Sequence, residues 1–305
     1  MRIGQRFIHK AAAGGMFIGC IGLAASGVSK AASPLTLPYQ LTHSVNVDPS
    51  PSPDGKKLVL IVVVAGKEQL FTMNVDGSDP VQITHDAIDH EDPAWSPDGK
   101  RIAFVSLTDD HEIIFTMNPD GNGVEQVTPS NVRVIHPSWS ADSTQIIYCT
   151  DDDLHPPKKN TSEIDSIDLK TRRITRLITD GVNTYPDWSP DMKKIVFRKI
   201  LGELNSEVFV ANSDGSNLGN LSNSPAFDGW PAWSPDGKQI AFASNRASSY
   251  QIYVMNADGS NVRLVANTEG RATAPHWSPD GKTIYFPICK KVDYGGDCEV
   301  FVSKF

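Results

Sequence analysis

The chain has 305 residues, a formal net charge of −8, 39% hydrophobic and 21% charged residues. This is the balance of a soluble globular protein, with length for one or two domains. The acidic excess argues against nucleic-acid binding, which needs a basic surface to displace counterions; it suits cationic partners or metal ions better.

In chain order, the first segment reads as an export signal. "MRIGQRFIHK" carries Arg2, Arg6 and Lys10 and no acid, "AAAGGMFIGCIGLAASGV" is apolar, and "SKA" ends on small residues. This pattern predicts a signal peptide over residues 1–31, cleaved near Ala31. The alternatives are an uncleaved anchor, for which the segment is marginally long, and a poor lipobox at Cys20. Cleavage removes four cations, Arg2, Arg6, Lys10 and Lys30, taking the net charge from −8 to −12.

The rest of the chain repeats one sentence. "SPDG" or a relic of it begins at Ser52, Ser96, Ser140, Ser189, Ser234 and Ser278, at spacings of 44, 44, 49, 45 and 44 residues. A Trp precedes the Ser in five copies, at Trp95, Trp139, Trp188, Trp233 and Trp277; Pro51 stands there in the first. Within one copy, "PAWS" reads as a short strand and "PDGK" as a turn, with Pro fixing φ and Gly accepting positive φ. "QIAFAS" alternates as a second strand and "QIYVMN" is a third. "NADGSN" is a hairpin turn and "VRLVA" a fourth strand. Four strands per 40–45 residues is the signature of a propeller blade.

The expected fold is an all-β, six-bladed β-propeller with four antiparallel strands per blade, occupying residues 32–305 as a single domain. The sixth copy stops after its third strand. "PYQLTH" (38–43) matches "PVQITH" (80–85), so the N-terminal strand is expected to close the last blade, hiding a sheet edge. The repeated Trp is expected to pack between blades. Cys289 and Cys298 flank a loop between neighbouring strands and are expected to form a disulfide in an oxidising compartment; Cys149, in "IIYCT", is expected to be a buried thiol.

These repeats, "WSPDGKxIAFxS" followed by "IYVMNADGSN", resemble the WD40-like repeat of the TolB β-propeller family over roughly residues 38–305. The resemblance implies a periplasmic protein of envelope assemblies. TolB itself carries a further N-terminal domain, for which this chain has no room, so the resemblance is to the propeller alone.

Function is sought where the copies disagree. The residue before the Pro of "P-x-W-S" should recur once per blade near the mouth of the central channel. Those residues are Asp48, Asp92, His136, Tyr185, Trp230 and Ala274. Unlike the Trp anchors they do not resemble one another, and they read as a binding ring. Nearby loops add His90, Arg133, Arg246 and Arg271. Aromatic and Arg residues are the usual anchors of protein recognition.

The expected function is a protein-binding or scaffolding module of the bacterial cell envelope, periplasmic or secreted, acting as a monomer through this loop-face funnel, with no cofactor, no nucleic-acid partner and no membrane span after cleavage. Its partner would be an envelope protein or peptide, or an oligosaccharide. No nucleophile elbow, HExxH, phosphate loop or Cys-x-x-Cys is present. The alternative is a metal-dependent carbohydrate-active enzyme, a lyase or hydrolase, with His90, Asp92 and His136 as candidate ligands of a divalent cation and His276 nearby. "TDDDLHPP" (150–157) is expected to be a solvated loop rather than a cation site.

Overall fold

The computed structural model describes residues 39–42, 46–108, 111–151, 161–203, 205–290 and 298–304. The predicted signal peptide and most of the acidic loop after Asp151 lie outside these residues.

Each repeat forms one antiparallel sheet, and there are six. The fifth shows why the sequence folds this way. Asp228–Trp233 pairs with Gln239–Ala247, which pairs with Ser249–Asn256, which pairs with Arg263–Ala266. The second and third strands put Ile240, Ala241, Phe242, Ala243, Ile252, Val254 and Met255 fully out of water. Both faces of the sheet are buried, because a blade lies against each. The first strand of each sheet approaches that of the next, and that of the sixth approaches that of the first. The result is a ring with the first strands innermost. Among the described residues there is no helix long and apolar enough to cross a membrane.

The Ser-Pro-Asp-Gly turns close on their own hydrogen bonds, and the second also donates the Asp98 N–H to the Ser143 hydroxyl of the next blade (3.1 Å). In the first, the Ser52 hydroxyl donates to Asp54 (2.7 Å) and accepts from the Lys57 N–H (2.9 Å). That hydroxyl, with the Lys56 N–H, holds the Asp54 carboxyl below its usual range. The "DGS" turns, in contrast, are wedged between blades. Gly215 has φ +82°, and a Cβ there would lie 1.9 Å from the Leu177 carbonyl oxygen of the preceding blade. Only glycine supplies both that φ and that approach.

The Trp anchors pack between blades, as expected. Trp139, Trp188, Trp233 and Trp277 are buried. Trp139 donates its indole N–H to the Ala94 carbonyl (3.0 Å) and Trp277 to that of Ala232 (3.2 Å), each in the preceding blade. Asp187 makes a further link across three blades. It accepts from the Ser138 hydroxyl on one side (2.7 Å) and from the Trp233 N–H on the other (2.9 Å). Burial pushes its carboxyl up to about 6.

In the last sheet, Thr283–Cys289 and Cys298–Lys304 pair along their length, and Tyr39–Gln40 runs antiparallel to the latter. The Val300 N–H donates to the Thr42 hydroxyl (3.0 Å), as the Leu70 N–H does to Thr84 in the first sheet (2.9 Å). Cys289 and Cys298 face each other and form a disulfide. Cys149 is a buried free thiol.

Candidate functional site

The six positions marked by disagreement share one backbone conformation. Asp48, Asp92, His136, Tyr185, Trp230 and Ala274 all have positive φ, between 42° and 56°. In the first five blades the ladder slips its register at this point, between Val47 and Ser50, Glu91 and Ala94, Ile135 and Ser138, Thr184 and Asp187, and Gly229 and Ala232. The next residue is always Pro, which cannot donate to the ladder. The strand therefore bulges, and a bulge re-aims the side chain at its apex. In the sixth blade the interruption is larger, and the inner strand splits into Arg271–Ala272 and His276–Trp277. A left-handed non-glycine residue costs roughly 1–2 kcal/mol, so this conformation persists only because the surrounding ring enforces it.

The bulge residues form a series from blade to blade. The His136 N–H donates to Asp92 Oδ2 (3.0 Å), and its Nε2 lies 3.9 Å from the same oxygen. The His136 ring stacks on Tyr185, with centroids 3.6 Å apart and planes at 29°. Tyr185 lies 5.4 Å from Trp230. Tyr250 stands edge-on to Trp230 at 5.7 Å, and Phe227 flanks both. Such ring pairs contribute about 0.5–1.5 kcal/mol each beyond area burial. At the other end of the series, Asp48 is half-buried; burial, with the nearby charge of Glu91, raises its carboxyl to about 6. Ala274 contributes no polar group.

Two arginines lie over the aromatic bed. The Arg198 guanidinium is 4.9 Å from the Tyr185 centroid, 5.3 Å from Trp230 and 5.5 Å from Phe227. Arg271 lies 4.4 Å from Tyr250 and 5.8 Å from Trp230. Trp230 is consequently only 7% exposed. It is the floor beneath the two cations, not the outward anchor its sequence position suggests. His136, Tyr185, Arg198, Tyr250 and Arg271 keep part of their surface in water.

The other predicted site residues are engaged elsewhere. His90 is buried, its ring edge-on to Phe104 (5.4 Å) and its Nε2 2.9 Å from Asp86 Oδ1. Arg246 is clamped inside its blade: it pairs with buried Asp228 (2.8 Å), bonds Ser244 (2.9 Å) and lies over Phe242 and Tyr253. Arg133 pairs with buried Glu112 at 3.4 Å. His136 Nδ1 is 3.2 Å from Cys149 Sγ, whose thiol burial pushes well above its usual range. Burial takes His276 down to about 4. Among the described residues, no three His, Cys, Asp or Glu side chains converge as a metal-ligand set. His90, Asp92 and His136 are thus not brought together as one.

Sequence reasoning missed Arg198, Phe227 and Tyr250. A signal for Arg198 was present. Its ladder partner is Thr184, the residue before the bulge apex. The corresponding second-strand positions hold Ile61, Val105, Cys149 and Ala243. One arginine among apolar residues is the same kind of disagreement that marked the ring, one strand further out.

Ring and site together define a six-bladed β-propeller carrying an aromatic–arginine cluster at one end of its inner strands. A family model described as the TolB beta propeller domain matches residues 39–155 and 157–294. The chain belongs to that family. It is similar in structure to the putative TolB from Agrobacterium tumefaciens, with a TM-score of 0.65 and 24% identity over 87% of this chain and 91% of that one. The TolB of Acinetobacter baumannii matches with a TM-score of 0.67 and 20% identity; the alignment covers 83% of this chain but 65% of that one. An oligogalacturonate lyase from Vibrio parahaemolyticus matches with a TM-score of 0.58 and 14% identity, over 87% and 92% of the two chains. At these identities the likeness is one of fold. No curated protein matches the chain.

Proposed function

We propose that the protein is an exported, periplasmic binding module of the bacterial cell envelope. A partner protein docks over His136, Tyr185, Arg198 and Arg271, in the funnel at this end of the propeller. The observation carrying this reading is the joined series Asp92–His136–Tyr185–Trp230, whose members come from four blades and are held by backbone bulges. Anchors fixed by a closed ring lose little conformational freedom on binding. Aromatic and Arg side chains are the types that dominate interface energetics. Membership of the TolB propeller family supports the envelope setting, and the Arg- and Lys-bearing apolar segment at the start of the sequence supports export.

The test is a pull-down from envelope extract, comparing parent protein with Tyr185→Ala at matched Tm. A partner retained by the parent and lost by the variant supports the reading. Equal retention by both removes this end of the propeller from consideration.

A further inference from the structure

Four of the nine described arginines pair with carboxylates. Arg101, Arg133, Arg176 and Arg246 each have a carboxylate within 4 Å. Arg198 has none among the described residues, although it is half-buried. Its Nε donates to the Thr184 hydroxyl (2.8 Å), and its guanidinium lies over three rings. A cation taken partly out of water without an anionic partner is costly unless something offsets it. The ring faces offset part of that cost.

The molecule also makes room for this side chain. A Cβ on Gly229 would lie 2.7 Å from Arg198 Cδ and 3.5 Å from Cγ. Gly229 does not have a positive φ, so backbone conformation does not demand glycine here. Val47, Glu91, Ile135 and Thr184 occupy the same place before the apex in other blades. The departures at positions 198 and 229 are therefore complementary: an arginine from the fourth blade crosses the fifth where the side chain has been deleted.

We infer that Arg198, seated across Gly229 on the Tyr185–Trp230–Phe227 bed, is the receptor for a carboxylate of a peptide partner. The Thr184 hydroxyl holds the Nε edge, and the two Nη groups form a pair suited to donating bidentately to a carboxylate. The surrounding rings would take an apolar or aromatic group beside that carboxylate. The acidic residues at the other end of the series, Asp48 and Asp92, discourage a second negative charge there. This assignment rests on the proposed protein-binding role and specifies the chemistry of the partner.

The experiment is saturation-transfer NMR on the full propeller with two probes, N-acetylphenylalanine and its neutral amide, and with galacturonate as a third. The acid is expected to bind about tenfold or more tightly than the amide, as expected for one charge-assisted bidentate contact. Arg198→Gln should abolish that preference, Arg198→Lys should keep part of it, and Gly229→Ala should weaken it by displacing the arginine. Thermal melts of each variant separate this from loss of fold. Equal binding of acid and amide, an undiminished preference in Arg198→Gln, or no binding of either probe would overturn the inference. Binding of galacturonate with rejection of N-acetylphenylalanine would also overturn it, in favour of an acidic sugar. The pull-down is independent: acid-selective probes with no Tyr185-dependent partner would leave the carboxylate receptor standing and sink the docking proposal.

Discussion

Replacing Asp187 by Asn should make the protein more stable at pH 8 and leave it nearly unchanged at pH 4. The carboxyl has an ordinary value of 3.8 and is raised to about 6 in the fold, chiefly by burial. The folded state therefore holds the proton more tightly than the unfolded state. The stabilisation from the protonated form is complete below about 3.8 and is lost as pH rises through about 6. At about 1.4 kcal/mol per pH unit, the ionised carboxylate costs the fold about 3 kcal/mol above that window. Asn has the shape of the protonated acid. Its amide oxygen can accept the Trp233 N–H, and its NH2 can donate to the Ser138 oxygen, so the link across three blades survives. Melting parent and variant side by side from pH 4 to pH 8 should give a Tm difference that opens by about 5 °C for a domain of this size. The comparison must be made as a difference, because Asp48 is raised to a similar value and contributes its own slope to both proteins. A difference that stays flat across the window, or a variant less stable at pH 8, would refute the reasoning.

Other expectations are simpler. Gly215→Ala should lower stability by more than about 2 kcal/mol, by thermal or denaturant unfolding, because its Cβ would clash with the Leu177 carbonyl at a φ of +82°. Cys289→Ser with Cys298→Ser should cost about 2–3 kcal/mol on the loop-entropy estimate, and reductant should lower the parent's Tm without affecting the double variant. Metal analysis of purified protein should show no stoichiometric divalent ion; an ion lost on His136→Ala would revive the carbohydrate-enzyme reading.

The blades were legible because the turns carry their own chemistry. In "SPDG" the Ser hydroxyl, Asp carboxylate and Gly φ close the turn without tertiary help, so each copy announces itself. The bulge positions were legible for a related reason: a Pro at a fixed place in the inner strand interrupts the ladder there in every blade. What those positions do was less legible. The burial of Trp230 follows from Arg198 and Arg271, whose approach depends on how the second strand of the fourth blade and the inner strand of the sixth meet the fifth. The inward turn of His90 follows from its place two residues before the bulge apex, where the strand is still regular and Phe104 lies beside it. The pairing of Arg198 with Gly229 is a matter of interblade distance, which no local pattern encodes.

The shared left-handed apex has a further consequence. Asp, His, Tyr, Trp and Ala all occupy it with nearly the same φ, so the ring, not the side chain, dictates the geometry. Six sites on one closed frame can then be rewritten one at a time without redesigning the scaffold. A point substitution at an apex can change what that end of the propeller presents while the frame stays the same; the arginine in the fourth blade and its matching glycine in the fifth lie, respectively, one strand out and one residue before the apex, and shape the same end from outside the series.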